Sequence, residues 1–189
     1  MSIQERRERE RAERHRLIVD AARELAEAEG WDAVTTRRLA DRVEYSQPVL
    51  YSHFKGKDAI VRAVAVQGFR DLTERMRAAR ASGGTPAASL RAAAEAYLDF
   101  AATRPALYDA MFVREVDLSF GTAETPPELR EAFGEFVAVV TPVAGDDDVE
   151  TLVEVLWGAL HGQATLDHGR RLRPDHRRAR LDLLLSRFS

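Results

Sequence analysis

The 189-residue sequence has no cysteine, only two lysines beside 26 arginines, and 7% aromatic residues. Without cysteine there is no disulfide frame, no thiolate metal site and no cysteine nucleophile, which suits a reducing compartment. Uncharged runs stop at about a dozen residues, as over 155–166, well short of the roughly 20 that a membrane-spanning helix needs. The first residues are rich in Arg and Glu and lack the apolar core of a secretory signal. Gly-rich phosphate loops, nucleophile elbows and paired metalloprotease histidines are also missing. The expectation is a cytoplasmic protein, not an enzyme, with no cofactor and no membrane partner. What is present is 45% hydrophobic and 31% charged, enough to pack a core at this length.

The formal net charge of −3 conceals an uneven distribution. Residues 6–16 hold six Arg against three Glu, and residues 37–62 hold six Lys or Arg against three Asp or Glu, so the remainder carries −9. A basic end on an acidic body can approach a polyanion by one face only.

Apolar residues recur at three- and four-residue spacing, and β-branched alternation is absent, so the pattern predicts an all-α chain of nine helices. A first helix is expected over 8–29, burying Leu17, Ile18, Ala21, Ala22 and Leu25, with Gly30 as its stop and Trp31 folded back on it. Thr35 fits an N-cap for a short helix over 36–43, and Ser46 for another over 47–54, where Pro48 is tolerated because first-turn amides lack intrahelical partners. A longer helix follows over 57–81. Ser82-Gly83-Gly84-Thr85-Pro86 is the clearest break, opening a helix over 87–102. A short helix then ends near Arg114, another runs from Pro126-Pro127 to about Ala144 with Pro142 inside it, and two more are expected over 149–168 and 175–188. The expected division is an Arg-rich extension, 1–11, an N-terminal helical domain, 12–71, with its two short helices at 35–54, and a C-terminal helical domain, 72–189.

Two helices of about eight residues joined by a tight turn are too short to be stable alone. They make sense as a helix-turn-helix whose second helix enters the major groove of DNA. Leu50 and Phe54 fall on its buried side, leaving Gln47, Val49, Tyr51 and His53 for DNA. Gln47 can bond an adenine edge twice and Val49 can touch a thymine methyl, while Tyr51 and His53 suit phosphates. Lys57, a cation in a first helical turn, opposes the helix dipole but completes a phosphate site beside free amides, and Arg37 follows the same logic.

Residues 34–57, VTTRRLADRVEYSQPVLYSHFKGK, resemble the DNA-binding segment of the TetR family of bacterial transcriptional regulators. The resemblance covers about residues 12–71. It implies an all-α homodimer that binds a palindromic operator in double-stranded DNA, commonly a repressor released by a small-molecule effector. By position, Thr35, Thr36, Arg37, Ser46, Gln47, Pro48, Val49, Tyr51, His53 and Lys57 resemble the family's DNA contacts. Two positions depart from it: Glu44 stands in the turn where many members carry Gly, and Val49 where many carry a hydroxyl. A non-catalytic helical interaction protein with a degenerate reading head is the alternative. The segment before Ala12 is expected to extend the first helix or to form an arm near the minor groove.

In the C-terminal region, Trp157, His161 and Gly162 resemble the Trp-x-x-x-His-Gly signature of one subgroup of that family. Tyr97, Phe100, Tyr108, Met111, Phe112, Phe133, Phe136, Trp157 and His161 are the expected lining of an apolar or aromatic effector site. Gly158 and Gly162 form a flat strip, and with Leu156, Leu160, Leu181, Leu184 and Leu185 they are the expected dimer face. Glu154, His161 and His168 recur every seven residues, whereas metal ligands on one helix need three- or four-residue spacing, so no metal is expected.

Overall fold

The computed structural model describes residues 2–188, which form nine α-helices and no strand. They are α1 (Ile3–Glu29), α2 (Thr36–Arg42), α3 (Gln47–His53), α4 (Lys57–Ser82), α5 (Pro86–Thr103), α6 (Pro105–Phe112), α7 (Pro127–Val140), α8 (Val149–His168) and α9 (Arg177–Leu185). Among the described residues no helix is long and apolar enough to cross a membrane.

Most ends obey the expected chemistry. Thr35, Thr85 and Asp148 each accept a backbone N–H at the start of α2, α5 and α8, relieving first-turn amides that have no intrahelical partner. Five ends differ from expectation by two residues or more. Helix α1 opens five residues early, because Ser2 Oγ accepts from the Glu5 amide at 3.1 Å while the Glu5 carboxylate accepts from the Ser2 amide at 2.7 Å. This reciprocal pair is a strong start signal. Helix α6 stops at Phe112, where the Arg114 amide turns back to the Asp109 carbonyl at 2.9 Å. Helix α7 ends at Val140 and tightens into a single 3-10 turn, Thr141–Val143, since Pro142 has no N–H to continue the ladder. Helix α9 starts only at Arg177, after a 3-10 turn at Pro174–His176, and ends at Leu185.

The chain forms two compact units. The first runs to Gly68 and takes in Ala106–Leu118; the second comprises Phe69–Pro105 and the chain from Ser119 onward. In the first unit, Ile18, Ala22 and Leu25 of α1, Leu39 of α2, Leu50 of α3, and Ile60 and Val64 of α4 are all buried. Leu17, expected in this core, is 43% exposed. Helix α6 joins the same unit and crosses α4 closely at Gly68, where a Cβ would stand 2.9 Å from Leu107 Cδ1 and nearer still to Met111 Sδ. In the second unit α8 packs on α5 and α7. Its buried Glu135 carboxylate accepts from Arg77 Nε at 2.8 Å and Arg80 Nε at 3.1 Å, so the charge is compensated where it is desolvated.

Candidate nucleic-acid interface

Helices α2 and α3 have seven residues each, and tertiary contacts hold them. Leu39, Ala40, Leu50 and Phe54 turn inward, and α2 is tied to α1 by Arg38–Glu29 and Arg42–Glu24 pairs at 2.8 and 3.0 Å. These pairs are exposed, so they orient more than they stabilise. Between the helices the Tyr45 amide bonds the Ala40 carbonyl at 3.0 Å, and Glu44 has φ +57°. This is the left-handed termination that glycine usually supplies, here built on a glutamate. Ser46 stands at the N-cap of α3 as expected, but its side chain makes no capping bond; the Val49 amide is met by the Ser46 carbonyl at 3.0 Å.

With α3 anchored from behind, its front is open. Thr35, Arg37, Ser46, Gln47, Pro48 and Tyr51 are exposed, and Thr36, Val49, His53 and Lys57 are half-buried. Tyr51 is a large aromatic left 54% exposed. Lys57 is less free than its position suggests, because Nζ donates to the Trp31 carbonyl; an ammonium has three donors, so two remain.

At the C-terminal end of α3, the His15 ring stacks on Phe54 at 4.5 Å and lies 6.2 Å from His53. Partial desolvation, and for His15 the neighbouring Arg11, holds both imidazoles below their ordinary range. Arg11, His15 and Arg14 add to the effect of burial at His53.

The family models agree with this geometry. One described as "Bacterial regulatory proteins, tetR family" matches residues 18–64, and "Tetracyclin repressor-like, C-terminal domain" matches residues 90–188. The chain belongs to the TetR family.

Among its relatives, the HTH-type transcriptional regulator YobS of Bacillus subtilis is 35% identical over 54% of this chain and 53% of its own. An HTH-type transcriptional repressor of Mycobacterium tuberculosis is 37% identical over 64% of this chain and 63% of its own. The chain thus spans little more than half the length of the first of these relatives. A TetR-family regulator from Pectobacterium atrosepticum shares the fold, with a TM-score of 0.70 at 20% identity over 94% of this chain and 91% of that one.

Sequence reasoning passed over Glu27 in this TetR chain, and it expected Trp31 only to fold back on α1; both hold the start of α6. Glu27 accepts from the amides of Ala106 and Leu107, and the indole N–H of Trp31 donates to the Ala106 carbonyl. The available signal was Trp31 itself, since a buried indole N–H needs an acceptor.

The residues expected to line an effector site are divided by the fold. Tyr108, Met111 and Phe112 lie in the first unit, and Tyr97, Phe100, Phe133, Phe136, Trp157 and His161 in the second. Tyr97, Phe100 and Phe136 are buried, while Phe133, Trp157 and His161 are half-buried. Trp157 Nε1 donates to the Tyr97 hydroxyl at 3.1 Å, and Tyr97 meets Phe136 edge-on at 5.6 Å. A separate cavity of about 200 Å³ is lined by residues outside the expected set, among them Leu98, Gln163, His168 and Arg180.

The expected dimer face needs correction. Leu156, Leu160, Leu181 and Leu185 are buried within the second unit itself, and Leu184 is half-buried, so the core of one protomer already uses most of these side chains. Gly158 is exposed and Gly162 half-buried, and a Cβ at either would meet nothing within 4 Å. Among the described residues no group of three or more His, Asp or Glu is placed to hold a metal ion.

Proposed function

We propose that this protein is a transcriptional regulator that binds a palindromic operator as a homodimer, with α3 of each protomer in successive major grooves. The observation that carries this reading is the division of α3: Leu50 and the following Phe54 are locked into the core while Gln47, Pro48 and Tyr51 face solvent, as does Arg37 of α2. A seven-residue helix held this firmly with polar and aromatic side chains outward has the form of a groove reader. Gln47 supplies base-edge hydrogen bonds, Val49 a methyl contact, and Arg37, Tyr51, His53 and Lys57 phosphate contacts.

The protein acts as a repressor. A small apolar or aromatic effector, held by Phe133, Trp157 and His161 against the Tyr97–Phe136 pair, alters the spacing of the two recognition helices and releases the operator. Two protomers associate through the outer strip of α8 around Gly158 and Gly162.

The test is fluorescence anisotropy with the chain's own upstream DNA over a range of salt, with unrelated duplex as competitor. Tight, competitor-resistant binding of two protomers per site, weakened at least tenfold by Tyr51→Ala, is the expected result. If selection from random DNA enriches no sequence, the reading head does not function and an interaction role replaces this one.

A further inference from the structure

Residues 2–17 are exposed without exception, yet residues 3–17 are helical. At 1.5 Å per residue this is a rod of about 22 Å ahead of Ile18, the first buried residue of α1. It needs no nucleation of its own, because it continues a packed helix. Arg and Glu are good helix formers, the Ser2–Glu5 capping box closes its start, and Glu10 lies 3.7 Å from both Arg6 and Arg14.

Its six arginines divide between two faces. The core stripe of α1, Leu25, Ala22 and Ile18, continues outward at three- and four-residue spacing through His15 and Arg14, then Arg11, then Arg7. Beyond the core the same stripe therefore becomes cationic. It is continuous with the candidate interface, since His15 stacks on Phe54 at the end of α3 and Arg11 acts on both His15 and His53. Arg7 and Arg11 form no ion pair among the described residues, whereas Arg6 and Arg14 share Glu10. Arg6, Arg9 and Arg16 lie on the opposite side of the rod.

We infer that the Arg7–Arg11–Arg14 face of this helical rod is a second DNA-binding surface, seated on the phosphate backbone of the duplex beyond the groove that α3 reads. The inference rests on the proposed operator binding. A guanidinium presents several donors to phosphate oxygens, and the rod is longer than the roughly 12 Å width of a major groove, so it reaches the backbone flanking the site. Its contacts carry affinity and salt dependence but no sequence choice.

Full-length protein is titrated against its selected operator, once as the bare site and once with 15 flanking base pairs on each side. Three forms are compared: wild type, Arg7→Gln/Arg11→Gln, and Arg6→Gln/Arg16→Gln. Each phosphate contact contributes about 0.9 to the slope of log K against log salt, so removing two arginines from both protomers lowers that slope by about 3.6. The expected result is this loss in Arg7→Gln/Arg11→Gln alone, together with loss of the preference for the flanked duplex. Circular dichroism confirms that the rod stays helical. Equal slopes in all three proteins would overturn the proposal, as would an equal loss in both variants, which would reduce the effect to net charge. A wild type that binds no selected duplex would overturn the operator reading along with it.

Discussion

The indole N–H of Trp31 donates to the Ala106 carbonyl at 2.8 Å, joining the 3-10 turn after α1 to the first turn of α6. Glu27, one turn earlier, accepts from the Ala106 amide at 3.1 Å and the Leu107 amide at 2.9 Å. A carboxylate at a helix N-terminus satisfies orphan amides and complements the dipole. Hydrogen bonds to a charged group contribute about 1.5–3 kcal/mol, with the lower figure apt for an accessible carboxylate. Glu27→Ala is therefore expected to lower the unfolding free energy by about 1–2 kcal/mol and to speed hydrogen exchange at Ala106 and Leu107. Unchanged exchange at those two amides would show that α6 is held by apolar packing alone.

Glu44 occupies the left-handed region at φ +57°, which costs an L-residue with a Cβ roughly 1 kcal/mol. Glu44→Gly removes that strain but widens the unfolded ensemble, for a net gain of about 0.5 kcal/mol. It also removes a negative charge beside the proposed phosphate contacts. Glu44→Ala separates the two effects: operator affinity should rise in both variants, stability only in the glycine one. Equal stability in both variants, measured by urea unfolding, would mean that the turn carries no strain.

His15 and His53 are both held below their ordinary pKa, chiefly by the water they lose where their rings meet Phe54 and each other and then by Arg11, with Arg14 and His15 acting on His53 as well. The folded chain thus binds fewer protons than the unfolded chain as pH falls through about 6.5, the ordinary imidazole value. Stability is full above that value and is lost below it, until the depressed folded pKa is passed. His161, lowered by burial, adds the same sign in the second unit. Phosphates favour the protonated rings, so operator affinity should move the other way and rise over this window. Urea unfolding at pH 7.5 and 5.5 should show a smaller loss for His15→Asn/His53→Asn than for wild type; an identical loss would assign the effect to other groups.

Much of the reading head was legible because its signals are local. Thr35 at a cap, Pro48 in a first turn and Leu50 with Phe54 on one side of a short helix follow from side-chain chemistry within a few residues. What escaped depends on partners distant in sequence. Nothing near Glu27 announces that its carboxylate caps a helix 79 residues later, and Gly68 sits inside a helix with no sign that α6 crosses there. The leucines of α8 and α9 show the limit of periodicity. A helix with apolar positions on two sides declares that both are apolar, but not which side meets its own core.

The outer side of α8 can now be specified. Val155, Gly158, Gly162 and Leu166 recur at three- and four-residue spacing opposite the buried Leu156 and Leu160, with Val155 58% and Leu166 41% exposed. On α9, Leu183 is 62% exposed. Glycine within a helix costs about 1 kcal/mol relative to alanine, and no contact inside the protomer requires it at either position, since a Cβ there meets open space. In the proposed homodimer, close approach of a second α8 is the reason for both glycines. Gly158→Leu/Gly162→Leu should fold with undiminished helical content, because the added side chains point outward, yet sediment as a monomer at concentrations where wild type is dimeric. A variant that remains dimeric would move the interface away from this strip. A variant that loses helical content would instead return the two glycines to the packing of the protomer. Gly158→Ala/Gly162→Ala grades the effect, since each methyl favours the helix while holding two backbones apart, so protomer stability and dimer affinity should change in opposite directions.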